Sequence, residues 1–151
     1  MLFRVVDMLK KRLGVEAIEI HWWFRSLPSY FKIPSSLIIS DGCRRVGDYA
    51  LGDCKNLKKV VFPESLEEIG IGSFVGTNIE EVRFFGSKIS KYAFRGCTKL
   101  KRVILSNKTK EIEGWVFLEC YEARITINKP ENDPPYIGTE AFKGCKEVKY
   151  V

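Results

Sequence analysis

One apolar frame returns along most of this chain: "YALGDCKNLKKVVF" at 49–62, "YAFRGCTKLKRVIL" at 92–105 and "EAFKGCKEVKYV" at 140–151. No other feature narrows the fold as much. A chemical motif is needed once, whereas a frame recurring every two dozen residues describes units that bury their apolar sides against one another.

Aligned on a small–aromatic pair, the columns are Ala50–Leu51, Ser73–Phe74, Ala93–Phe94, Val116–Phe117 and Ala141–Phe142. Four residues earlier stand Val46, Ile69, Ile89, Ile112 and Ile137, spaced by 23, 20, 23 and 25 residues. Three residues after the pair stand Cys54, Thr77, Cys97, Cys120 and Cys145, followed by Leu57, Ile79, Leu100, Ala123 or Val148. Runs of period two then begin at Leu37, Val60, Val82, Val103, Ile125 and Val151. Such alternation predicts half-buried strands, with Val60, Phe62, Val103 and Leu105 inward and Val61 and Ile104 outward. Stacked coils would lay these strands side by side in a parallel sheet, and the Phe rings would form a spine in the opposite wall. With 151 residues, 45% of them hydrophobic and 29% charged, the chain has the size and composition of one ordered domain.

The frame resembles the BspA-like (Treponema pallidum type) leucine-rich repeats, whose coils read I-x-x-x-A-F-x-G-C-x-x-L-x-x-V-x-I-P-x-S-V. "VGDYALGDCKNLKKVVFPESLEEIG" (46–70), "ISKYAFRGCTKLKRVIL" (89–105) and "IGTEAFKGCKEVKYV" (137–151) carry the resemblance. The expected class is α/β: a β-rich leucine-rich-repeat solenoid, with parallel strands on its concave face and a helical and aromatic cap at its N-terminus. Residues 1–35 would be the cap and 36–151 a solenoid of about five repeats, the last one incomplete. Asp53 and Glu119 stand where the family has Gly, which argues against a left-handed backbone there.

A first coil needs a cover over its apolar interior. A helix over 2–13, with Phe3, Val6 and Leu13 on one side, would supply it together with Trp22, Trp23, Phe24, Tyr30 and Phe31. Alternatively, Trp22 and Trp23 form a second, exposed binding patch. At the other end, a sixth strand starting at Val151 would leave the edge at Ile125–Ile127 open to self-association.

Four of the five cysteines share one repeat column, and Cys43 sits at an apolar position, so they read as small core residues. No Cys or His spacing suits a metal. His21 is the only histidine and has neither orienting partner nor nucleophile in view. The chain therefore reads as non-enzymatic and without cofactor. Its net charge of +6 is dispersed, which argues against nucleic acid. No run of apolar residues spans a bilayer. An odd cysteine count and a start that reads poorly as a secretory signal point to the cytoplasm; a piece of an exported protein would lie at the cell surface.

Function is then expected where the repeats vary, on the outward strand positions. The candidate site is Lys59, Val61, Arg83, Phe85, Arg102, Ile104 and Arg124, cations around aliphatic spots that suit a protein partner with an acidic patch. The competing reading is a solvated strand face with incidental aliphatics. The resemblance implies protein–protein interaction and, in many members, surface adhesion. The readings are an interaction module, a fragment of a cell-surface adhesin, or a small intracellular binder of a host or competitor protein.

Overall fold

The computed structural model describes residues 35–151 throughout and, before them, the backbone of 3–4 and 19–20. Among the described residues, thirteen strands alternate between two parallel sheets. One holds β1 (Phe3–Arg4), β3 (Ser36–Ile38), β5 (Lys59–Val61), β7 (Glu81–Phe84), β9 (Arg102–Leu105), β11 (Arg124–Ile127) and β13 (Glu147–Tyr150), in that order. The other holds β2 (Glu19–Ile20), β4 (Arg45–Val46), β6 (Glu68–Ile69), β8 (Lys88–Ile89), β10 (Glu111–Ile112) and β12 (Tyr136–Ile137). Each coil passes once through each sheet, so the molecule is a parallel β-solenoid.

The alternation expected of the larger sheet is present. Val60, Val82, Val103 and Ile125 are buried, their neighbours Lys59, Arg102 and Arg124 exposed. The second sheet is a finding beyond the columns: the β-branched residues Val46, Ile69, Ile89 and Ile112 are its buried rungs, with Ile137 partly covered. Two-residue strands give too little alternation to be seen in sequence.

The spine is a ring stack. Phe74 and Phe94 lie 5.2 Å apart at 4°, Phe94 and Phe117 5.4 Å at 3°, and Phe117 and Phe142 6.0 Å at 13°. The small residue of each pair is buried at the tight turn, and its carbonyl accepts the aromatic's N–H from the preceding coil: Phe74 to Ala93 at 2.8 Å, Phe94 to Val116 at 3.0 Å and Phe117 to Ala141 at 2.8 Å. The thiol column has a matching role. The Sγ of Cys97 donates to the Phe74 carbonyl at 3.2 Å, Cys120 to Phe94 at 3.1 Å and Cys145 to Phe117 at 3.4 Å. Thr77 lies 3.4 Å from the Cys97 sulfur, which explains its place in the column: the position asks for a small side chain with a donor. Cys54 and Cys145 are only half-buried, a departure from the fully buried column expected. Burial pushes the Cys145 thiol up to about 11.

Three expectations are corrected. First, no helix occurs among the described residues, so the fold is β-solenoid rather than α/β. Phe3–Arg4, at the start of the expected helix, pairs in parallel with β3, Phe3 opposite Leu37. An exposed sheet edge offers ready-made backbone partners, which a short isolated helix does not. The rest of that helix and the cluster of Trp22, Trp23, Phe24, Tyr30 and Phe31 lie outside the described residues. Second, the last strand begins at Glu147, not at Val151: Val148 pairs with Ile125 and Tyr150 with Ile127. Third, Asp53 and Glu119 do adopt left-handed backbone, with φ of 57° and 66°, in register with Gly76, Gly96 and Gly144. The shared turn imposes the geometry, and the ladder bonds Asp53 N–H to Val75 O (2.7 Å) and Glu119 N–H to Lys143 O (3.1 Å) hold it.

Left-handed backbone costs a non-glycine residue about 1–2 kcal/mol. Glu119→Gly is therefore expected to stabilise the protein by ~0.5–1 kcal/mol once the extra freedom of glycine in the unfolded chain is set against the relief. Chemical denaturation reads this directly, and a loss of stability would show that the Arg95–Glu119 pair, at 3.8 Å, outweighs the backbone strain.

Candidate functional site

The two sheets present their outer positions very differently. Along the smaller one, Arg45, Glu68, Lys88 and Glu111 stand side by side in strict register. Sign alternates at each step, and Arg45–Glu68 (3.4 Å) and Lys88–Glu111 (3.3 Å) are ion pairs. Such a ladder satisfies itself.

On the larger sheet, one outer row runs Ser36, Lys59, Glu81, Arg102, Arg124, Glu147. Arg102 and Arg124 are direct neighbours with no carboxylate between them. Like charges side by side on a sheet face are unfavourable. Glu81 is the hub of this row. Arg83 Nε donates to its Oε1 at 2.7 Å and Arg102 to its Oε2 at 2.9 Å. The Arg83 hydrogen bond holds the Glu81 carboxyl below the usual carboxylate range; burial opposes this and the Arg102 bond adds to it. Glu81 thus stays ionised at neutral pH. Arg124 lies 3.5 Å from Glu147. The other outer row contains Arg83, Ile104, Thr126 and Lys149, with Ile38 and Val61 next to each other on β3 and β5.

Every sequence-derived candidate in the described region therefore projects from the outer side of this sheet or its rim. Lys59, Val61, Arg83, Arg102 and Arg124 are exposed, Ile104 is half-buried, and Phe85 follows directly on β7. Trp22, Trp23 and His21 fall outside the described residues. Glu81, Glu147 and Lys149 were missed as site residues. The outward position of Glu81 follows from the period of two, but its pairing with two arginines depends on strand register across coils. Tyr150, the last residue of β13, packs against the core.

A second surface feature lies on the turn wall, where Tyr49, Tyr92, Trp115 and Glu140 occupy one column, all with positive φ. Tyr92 and Trp115 stack at 5.4 Å and 15°, and the Trp115 indole N–H donates to Glu140 at 3.2 Å. The rings face one another along the axis, so the stack supports its own strained turns. Among the described residues there is no cluster of three or more His, Cys, Asp or Glu that could hold a metal. No helix among them is long and apolar enough to cross a membrane.

Comparison with known proteins supports the same architecture. The crystal structure of the pneumococcal vaccine antigen PcpA is similar, with 24% identity over 64% of this chain and 25% of that one, and a TM-score of 0.55. The chain thus spans a quarter of the length of the pneumococcal protein's chain. A leucine-rich cell-surface protein from Faecalibacterium prausnitzii shares 17% identity over 76% of this chain and 42% of its own, with a TM-score of 0.48. No curated protein matches. The BspA type leucine rich repeat model matches six copies over residues 29–149, and with the coils and the Phe spine in register this chain belongs to the BspA-type leucine-rich-repeat family.

Proposed function

We propose that this chain is an adhesin-like protein-binding module that engages its partner through the outer face of the seven-stranded sheet. The observation that carries the reading is the adjacent, same-sign pair Arg102 and Arg124, set against the self-neutralising ladder of the other sheet. Five cations, Lys59, Arg83, Arg102, Arg124 and Lys149, face two carboxylates, Glu81 and Glu147. The surplus suits an acidic patch, and the apolar Val61 and Ile104 between the charges suit a desolvated contact. The family's resemblance to surface adhesins and the pneumococcal vaccine antigen with this architecture support display at a cell surface over the cytoplasm. The thiols of Cys97 and Cys120 do not oppose this, since the fold uses them as hydrogen-bond donors inside the core.

The test is capture from extracts of the source organism and of any host, wild type beside Arg102→Gln/Arg124→Gln. Neutralising the pair is expected to weaken retention of a specific partner about tenfold or more and to flatten its salt dependence. Equal retention by both proteins would remove the face from consideration.

A further inference from the structure

The repeat is shortened at one place, and the shortening opens a cleft in the proposed face. The inward Phe62 and Ile69 are seven positions apart, as are Leu105 and Ile112, but Phe84 and Ile89 are only five apart. The shortened corner at Phe85–Gly86 turns the chain inward early. Gly86 sits so close to the previous coil that a side-chain carbon there would press on the Leu66 carbonyl oxygen and the Phe84 ring. Pro63, two residues beyond β5, has no N–H with which to extend the ladder. As a result β5 and β7 pair only at Lys59 and Glu81, whereas β7 and β9 pair over four residues.

Beyond that single pair lies a cleft of about 630 Å³. This is within the ~300–1,000 Å³ typical of ligand pockets. Its floor includes Phe62, held edge-on by Phe74 at 5.6 Å and Phe84 at 6.5 Å. At its mouth stand Val61, 40% exposed, and Phe85, 37% exposed, both large apolar side chains left to solvent. Lys58, Lys59 and Arg83 rim it. Two carboxylates also line it, and both are engaged: Glu81 by Arg83 and Arg102, and Glu80 by Lys101 at 3.5 Å.

We infer that this cleft is the anchor of the binding face: it takes one aromatic or branched aliphatic side chain of a protein partner whose neighbouring residue carries a carboxylate. The inference rests on the reading of the face as protein-binding. The apolar side chain would cover the exposed Val61 and Phe85 and rest on the edge of Phe62, and the carboxylate would meet Lys58 and Lys59. Anchor side chains in concave, water-excluding positions supply most of the affinity of protein interfaces.

Blocked dipeptides test the cleft without a known partner. Acetyl-Phe-Glu-amide added to ¹⁵N-labelled protein is expected to shift the amide signals of Val61, Arg83 and Phe85 first. Acetyl-Phe-Lys-amide and acetyl-Ala-Glu-amide should each bind about fivefold more weakly. Val61→Trp, a change at an exposed position that fills the cleft, should abolish the shifts and leave the thermal midpoint in place. Equal response to the Phe-Lys peptide, unaltered binding to Val61→Trp, shifts centred on Arg124 and Lys149, or no shift at ~10 mM peptide would each overturn the inference. Failure here with partner binding still lost in Arg102→Gln/Arg124→Gln would leave the face reading standing and remove only the cleft. Retention of the partner by that double variant would remove the face itself.

Discussion

Phe94→Ala is expected to destabilise the protein by about 4 kcal/mol, within the ~3–5 kcal/mol range for Phe→Ala in a core. Phe94 is fully buried, and its ring is sandwiched between Phe74 at 5.2 Å and Phe117 at 5.4 Å. Truncation leaves a ring-sized hole that its neighbours cannot fill without breaking the coil-to-coil hydrogen bonds Phe74 N–H to Ala93 O and Phe94 N–H to Val116 O. The thermal midpoint should fall on the order of 10–15 °C. The effect should also depend on position in the stack. Phe142 is partly exposed and stacks on Phe117 alone among the described rings, so Phe142→Ala should cost about half as much. Urea denaturation of the two variants decides it. Equal costs, or a Phe94→Ala cost below ~1 kcal/mol, would mean that the stack is not a continuous support.

Gly86→Ala is the second large effect, expected at ~3 kcal/mol, the upper range of overpacking. The obstacle is not dihedral. The added carbon would stand 2.7 Å from the Glu67 carbonyl oxygen and would also press on the Leu66 carbonyl and the Phe84 ring. Two of these neighbours are backbone in the adjacent coil, so relief requires the coils to part. Gly96→Ala provides the contrast. Its φ is +69°, but its nearest neighbour to an added carbon is 4.0 Å away. It should pay only the left-handed penalty of about 1–2 kcal/mol. A smaller cost at Gly86 than at Gly96 would show that the corner has room, and with it the explanation of the cleft would fail. In a protein that tolerates Gly86→Ala, the Val61 and Phe85 amide signals should stay in place; in one that strains, they should move with the corner.

How much of this was legible beforehand depends on which residues are considered. The Phe spine, the small residue before each Phe, the thiol column and the inward alternation of the larger sheet could all be read from column identity, because each repeats at a fixed offset within its own coil. The second sheet could not, because its rungs are two residues long and their partners lie a full coil away. The left-handed turns at Asp53 and Glu119 were misjudged from residue preference. A ladder of five aligned turns imposes its backbone on whichever residue occupies the place, and its hydrogen bonds outweigh a local cost of ~1–2 kcal/mol. The start of the last strand was misplaced by four residues, since Val148 fits both the column of Ala123 and that of Ile125; pairing with β11 selects the second.

The candidate face divides in the same way. That Lys59, Val61, Arg83, Arg102, Ile104 and Arg124 would share one side of a sheet follows from period two and the repeat spacing alone. That Glu81 would be gripped by two arginines, and that Arg102 would lie beside Arg124, required the register between coils. The cleft required more. The two missing residues between Phe84 and Ile89 were countable in the sequence, but a short count says only that a corner is tighter. Which strand pair it would open depended on where Gly86 could pack against Leu66 and Glu67, and on Pro63 lacking a donor at that point of the ladder. By itself, then, the sequence determined the coil, its period and its inward faces, because apolar burial repeats locally. Only the tertiary structure decided the second sheet, the charge pairing and the cleft, because each arises between residues roughly twenty positions apart that meet when the coils stack.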